Sequence, residues 1–315
     1  MPGSVLKGSV LTCVAYHHFE AQPSDATRHL GISTPPDVFR SHLDYYQLHF
    51  NAVGLDEVLA GDLPERALLI TIDDAYRSVA EIAAPMLRER DLPAVLFTNP
   101  RVITGPCVPL DTLMSIAASR LGFATLAFLL GQPGAATFGD LITGPVSRLG
   151  VAQRERLRVD LLARLSTPEA QLYRVLDLFL TPRQLEALPK SGIEIANHTR
   201  SHVHCGALTR DEIVCEIIGA KAEIEEITDR PVRAFSFPYG NERDATAPVL
   251  AALRESGHAA SFLVHARANR QRPAADVWYR TSLTDDPAYR LSLKLGMLPA
   301  LRSLKLASRA LISGG

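Results

Sequence analysis

The chain of 315 residues has no long apolar run, no cysteine pair at metal or redox spacing, and no excess of either charge. Each absence removes a class of protein. No stretch approaches the roughly 20 consecutive apolar residues of a membrane-spanning helix. The run from Phe123 to Leu130 is short and stops at Gly131-Gln132-Pro133-Gly134. The amino terminus reaches Tyr16-His17-His18 with neither the apolar length nor the small-residue cleavage site of a signal peptide. Cys13, Cys107, Cys205 and Cys215 lack CxxC spacing, which argues against a cysteine-type zinc site and against a disulfide framework. Reduced thiols and a cytoplasmic location are the expectation. With 33 Lys+Arg against 34 Asp+Glu, net charge −1, there is no basic field of the kind nucleic acids require. Repeats and low-complexity tracts are also missing.

What the chain does have is enough apolar residue, 47%, to bury a substantial core, and an alternation of short apolar runs with helical patterns. Ser9 to Ala15, Ala67 to Ile72, Ala94 to Thr98, Gly192 to Ala196, Ala234 to Phe237 and Ala259 to Val264 have the length and β-branched content of buried strands. Pro35 to Phe50 reads as a helix, with Phe39, Leu43, Tyr46 and Phe50 on one face, and Val79 to Arg90 as another. Strand and helix in repetition predict a parallel α/β sheet or barrel. Four of the strands end in reactive groups: Tyr16-His17-His18, Asp73-Asp74, Asn197-His198 and Pro238-Tyr239-Gly240. In α/β barrels the carboxyl ends of the strands carry the active site, so the pattern predicts one site built from four loops.

The chemistry of those ends is specific. Asp73-Asp74 and His198-x-x-x-His202 together supply one carboxylate pair and one histidine pair. A divalent cation that keeps a position open for water is typically held by three protein ligands, often two His and one carboxylate. One Asp is then left over to take a proton from an attacking water. The inventory points to a hydrolase.

At this point the chain resembles the polysaccharide deacetylases, carbohydrate esterases of the NodB homology type. Their first motif, Thr-Phe-Asp-Asp-Gly, reads here Thr71-Ile72-Asp73-Asp74-Ala75; the second, His-(Ser/Thr)-x-x-His, reads His198-Thr199-Arg200-Ser201-His202; the third, Arg-x-Pro-Tyr-Gly, reads Ser236-Phe237-Pro238-Tyr239-Gly240. The resemblance runs from about Val10 to Leu283. It implies a distorted (β/α) barrel, a divalent metal with Zn²⁺ as first choice on Asp74, His198 and His202, and Asp73 as general base. The N–H of Tyr239 would help hold the oxyanion.

Three departures accompany it. Ser236 stands where the family has the Arg that pairs with the base, Ala75 where it has Gly, and no His follows His265 to supply the late general acid. The exopolysaccharide-associated subset has permuted motifs, with a Tyr-His strand end ahead of the Asp pair. By that likeness His17 becomes the acid, with His18 its competitor. Arg280, within Asp276-Val277-Trp278-Tyr279-Arg280, resembles that subset's late Arg and would replace the missing partner of Asp73; a surface salt bridge is the alternative. Trp278 and Tyr239 offer an apolar wall for a sugar ring or acetyl methyl, or else core packing.

The expected layout is a deacetylase-like barrel over residues 1–286, a helical insertion at about 104–182 that covers the site, and a basic Leu-rich tail at 287–315. That tail, with Arg290, Lys294, Arg302, Lys305 and Arg309, suits either docking on the body or contact with the inner membrane face. The expected substrate is an acetylated amino-sugar glycan or glycoconjugate. The alternatives are an amidase or deformylase on a small or lipid-linked N-acyl substrate, and a catalytically impaired carbohydrate-binding relative.

Overall fold

A computed structural model describes residues 10–267, 269 and 276–297. Its strands are β1 (Thr12–Tyr16), β2 (His18–Phe19), β3 (Ser33–Thr34), β4 (Asn51–Ala52), β5 (Ala67–Asp73), β6 (Ala94–Thr98), β7 (Ile193–Asn197), β8 (Ala234–Ser236), β9 (Ala260–Val264) and β10 (Val277–Ser282). Neighbours run in the order β1-β10-β9-β8-β7-β6-β5, and β5 pairs back onto β1, closing a barrel of parallel strands; β4 pairs alongside the start of β5. The strand runs read from sequence fall on these elements within a residue or two, except that Ser9 to Ala15 starts three residues ahead of β1, with Ser9 outside the described residues. β10 was absent from that reading because Val277-Trp278-Tyr279-Arg280 mixes a charge into a short run that ends in polar residues.

Period-two alternation sorts each strand's side chains between barrel interior and helix-covered exterior. On β5, Ala67 and Leu69 join Phe97, Phe262 and Trp278 in the interior cluster, while Leu68, Ile70 and Ile72 pack outward against the helices. Each such large apolar side chain contributes about 1.5–3 kcal/mol on full burial. Continuing the inward series past Leu69 reaches Thr71 and then Asp73, and on β10 the series Trp278, Arg280 does the same. The barrel is therefore apolar along most of its length and polar at its carboxyl rim. Trp278, 1% exposed, belongs to the apolar part, so core packing, not a sugar-facing wall, is its place.

Between β6 and β7 lie the helices Leu110–Leu121, Phe123–Leu129, Phe138–Thr143, Val151–Leu165 and Glu169–Leu176. They surround a core of their own that includes Leu113, Ile116, Leu126, Leu141, Leu161 and Leu172. After β10 the chain turns through Ala288–Arg290, and Leu291 and Leu295 are buried against the main core while Lys294 pairs with Asp286 at 2.5 Å. The tail thus begins docked on the body. Arg302, Lys305 and Arg309 lie outside the described residues. Among the described residues no helix is long and apolar enough to cross a membrane.

Candidate active site

Because every barrel strand is parallel, all carboxyl ends share one rim, and the rim gathers the residues singled out in sequence. β5 ends at Asp73, and the next residue, Asp74, takes φ 70°. That left-handed turn lets both neighbours face one site, although on a continuing strand they would point to opposite faces. It also explains how Ala75 stands where a glycine is usual: the positive φ falls one residue earlier, and Ala75 is simply buried.

His198 and His202 follow β7 in a loop, not a helical turn, with Thr199 at φ 63° and His202 at φ 54°. Non-glycine residues in this region cost energy and persist where their surroundings hold them. Here the bracing is explicit. Asn197 Oδ1 accepts from Thr199 N–H at 3.0 Å, Asn99 Nδ2 donates to the Thr199 carbonyl at 3.0 Å, and Glu216 accepts from Ser201 N–H and Oγ at 2.9 and 2.6 Å.

One donor atom each from Asp74, His198 and His202 lies within 4.8 Å of the other two. The Nε2 atoms of His198 and His202 stand 3.9 and 3.6 Å from Asp74 Oδ1. Ligands at about 2.0–2.2 Å from a tetrahedral Zn²⁺ have edges of comparable length. The remaining ring nitrogens are committed elsewhere: His198 Nδ1 to the Ser236 carbonyl at 2.8 Å, His202 Nδ1 to Asp111 Oδ2 at 2.7 Å. Such outer bonds fix which nitrogen is free to ligate, so the donor set fits a divalent cation.

Asp111 was not legible as a site residue. It sits in the first turn of the insertion helix Leu110–Leu121, where an acidic residue ordinarily favours the helix dipole. Nothing local marks it out. In the fold it also accepts from Tyr239 Oη at 2.8 Å, and Arg154, from Val151–Leu165, donates to Tyr239 Oη at 3.0 Å and the His202 carbonyl at 2.9 Å. The insertion was expected only to cover the site; it also supplies the carboxylate that orients His202. Asp111→Asn should weaken metal affinity about 10–100-fold, the range for such outer partners. Competition against a chelator measures it, and unchanged affinity would remove Asp111 from the site.

Asp73 is buried, 2% exposed, and held by Arg280, itself 0% exposed. Arg280 Nη1 donates to Oδ1 at 2.6 Å and Nη2 to Oδ2 at 2.7 Å, a bidentate pair, with further bonds to Thr71 Oγ1 at 3.0 Å and Ser236 Oγ at 2.5 Å. A surface salt bridge for Arg280 is thereby excluded. Ser236, standing where an arginine is usual, makes room for Arg280 and bonds to it. Burial alone would raise the Asp73 pKa, but the charges of Arg280 and His198 outweigh it and hold the carboxyl well below the usual range.

His17 Nε2 stands 3.9 Å from Asp73 Oδ2, and its Nδ1 is buried without a partner. Burial lowers its pKa, with Asp73 and Asp74 opposing. His18 points away, bonding Ser78 Oγ through Nδ1 at 2.8 Å and standing 3.4 Å from Glu20 through Nε2. Tyr239, φ 62°, turns its hydroxyl to Asp111 and Arg154 and stacks on His204 at 3.8 Å. The following Gly240, φ +62°, leaves no room for a Cβ, which would come within 2.4 Å of Val264 Cβ.

Burial pulls the His198 pKa down to about 4 from 6.5, and that of His258, beneath Asn197, likewise to about 4. Both are neutral when folded, while the unfolded chain takes up protons from about pH 6.5 downward. Stability from these two is fully present above that value and is lost as pH falls through 4. His202 is the opposite case: burial lowers it, yet Asp74 and Asp111 raise it overall, so its contribution is lost as pH rises through its folded pKa. Metal-free protein should therefore lose stability on acidification between pH 6.5 and 4, read from urea midpoints; a flat profile would contradict these environments.

A family profile described as polysaccharide deacetylase matches residues 60–261. His17 and Arg280 lie outside that stretch. No curated protein sequence matches significantly. Among solved structures, the chain is similar to Streptococcus pyogenes deacetylase PplD in complex with acetate, at 12% identity and TM-score 0.62, covering 91% of this chain and 99% of that one. It is similar to IcaB from Ammonifex degensii at 19% and 0.56, covering 91% and 97%, and to the BpsB deacetylase domain from Bordetella bronchiseptica at 16% and 0.54, covering 91% and 99%. At these identities the likeness is one of fold. Together with the profile match over more than half of its length, it identifies the chain as a member of the polysaccharide deacetylase family.

Proposed function

We propose that the protein is a metal-dependent hydrolase that removes an N-acetyl group from an amino sugar of a glycan or glycoconjugate. The observation that carries this reading is the convergence of Asp74, His198 and His202 beside an Asp73 that is held ionised by Arg280. A divalent cation on those three groups, with Zn²⁺ first choice, would polarise the amide carbonyl and acidify water at the site. The chain's own residues do the rest. Asp73 takes the proton of the attacking water, its carboxylate aimed by two bonds from Arg280. The main-chain N–H of Tyr239 would donate to the carbonyl oxygen as charge develops there. His17, across from Asp73, gives a proton to the departing nitrogen, and the products are a free amine and acetate.

The reading of a binding protein without turnover was prompted by Ser236 and the missing late His. Arg280 pairs with Asp73 and His17 stands 3.9 Å from it, and these neighbours support the reading of an enzyme. The test is acetate release from acetylated chitooligosaccharides and N-acetylglucosamine conjugates, with and without chelator. Release that stops on chelation and returns with Zn²⁺ supports the proposal. No release from any acetylated amino sugar by the metal-loaded protein would overturn it.

A further inference from the structure

The pocket that opens beside Asp73, Asp74 and His202 has a volume of about 300 Å³, and much of its wall is hydrocarbon. Leu30 and Ile32 come from the segment joining β2 to β3, Val102 from the short helix Pro100–Thr104 after β6, Phe138 and Ile142 from one insertion helix, and Phe179 from where the insertion returns to the barrel. On that helix Phe138 and Leu141 both belong to the insertion core and Ile142 packs against it, while Phe138 and Ile142, one turn apart, also line the pocket.

Among the described residues lining this pocket there is no lysine or arginine to meet an anionic group. Nor is there a strongly exposed aromatic for successive sugar rings. Tyr76 and Phe179 are each 3% exposed and Phe138 9%, the half-buried Tyr239 is held by Asp111, and the strongly exposed aromatics Phe128 and Tyr289 lie outside the lining. An apolar cavity of roughly 150 Å³ lined by Leu, Ile and Phe takes up benzene. This one is about twice that size; the part over Asp73, Asp74 and His202 is where the amide and its sugar would sit, and the apolar wall from Leu30, Ile32, Phe138 and Ile142 is more than an acetyl methyl covers.

Resting on the deacylase reading above, we propose that the substrate carries a neutral alkyl chain joined close to the scissile amide. The chain can be the acyl group itself or the aglycone of an N-acetylated amino sugar, and the two sources separate by experiment. The probes for full-length Zn²⁺-loaded protein are N-acetyl-, N-butanoyl- and N-hexanoylglucosamine, octyl 2-acetamido-2-deoxyglucoside, and acetylated chitopentaose. Calorimetry gives affinity and amine release gives kcat/KM.

Each methylene that enters the pocket should tighten binding about fourfold. At least a tenfold gain (~2 to 3 buried methylenes) is expected along one series, and the series that gains identifies the source. Ile142→Asp should erase that gain; should it not fold, Val102→Thr, close in volume but with a hydroxyl, should reduce it. Flat affinity along both series, or tighter binding of chitopentaose than of every alkyl probe, would overturn the inference. Absence of amine release from every probe would instead contradict the deacylase reading, while the affinities would still report on the pocket.

Discussion

Asp73→Asn should lower kcat by about 10²–10⁴, the contribution of a positioned general base, while leaving bound metal in place. The two halves of this expectation come from the same geometry. Asp73 is not among the three groups that converge for a cation, so removing its charge should not empty the site. Both Asp73 oxygens, however, are aimed by Arg280, and Oδ2 stands 3.9 Å from the Nε2 atoms of both His17 and His198. Among the described residues no other carboxylate pairs with His17, and an amide oxygen is too weak a base to take the proton. Single-turnover kinetics together with metal analysis on the same sample check both halves. A variant that keeps its rate within about threefold, well short of a general base's contribution, would remove Asp73 as the base.

Arg280→Met should cost about 3–5 kcal/mol of stability near neutral pH, because it leaves a buried carboxylate without its partner. Its pH dependence carries more information than its size. In the native protein the Asp73 pKa is depressed, so the stabilisation from the ion pair is present above the unfolded value of about 3.9 and is lost as pH falls through the folded pKa. Without the arginine, burial raises that pKa, and the variant's deficit grows as pH rises above about 4 and shrinks below it. Urea unfolding of metal-free native and variant proteins from pH 3 to 8, a span bracketing about 3.9, reads the difference. A deficit independent of pH would mean that Arg280 acts through packing alone, for instance over the Phe97 ring at 5.2 Å.

Much of this site was readable because its chemistry sits at the ends of strands. The strand runs up to Asp73 and Asn197 carry the periodic pattern that reveals them, and a parallel barrel puts every such end on one rim. Ser236 was readable only as a departure from a motif, and Arg280 only by its likeness to the late Arg of one subset. The structure joins the two: the guanidinium from β10 reaches across the barrel to bond with Ser236 on β8 and Asp73 on β5. Asp111 and Arg154 were not readable at all. Each sits near the start of an insertion helix, where an acid or a solvated arginine is ordinary, and only tertiary packing brings them to His202 and Tyr239. Trp278 went the other way. An aromatic near a catalytic strand end suggested a substrate wall, but two residues along a strand is one layer of the barrel, and that layer is core.

Alternation also explains how three strands are bonded together at the carboxyl end of the barrel. Thr71 Oγ1 donates to the Val14 carbonyl at 2.7 Å and accepts from Arg280, tying β5, β1 and β10 together one layer below Asp73. Beyond this layer the loops take over, and the positive φ values of Asp74, Thr199, His202 and Tyr239 cluster there. Four of the ten non-glycine positive φ values among the described residues thus fall where the donor atoms must converge.

The most direct test of the whole account is elemental analysis of the purified protein beside Asp74→Asn, His198→Gln and His202→Gln. The native chain should hold about one divalent cation after dialysis against Zn²⁺. Each variant should hold much less while keeping its circular dichroism spectrum. A native chain that retains no cation, or three variants that retain as much as the native chain, would contradict the claim that these side chains form a metal site.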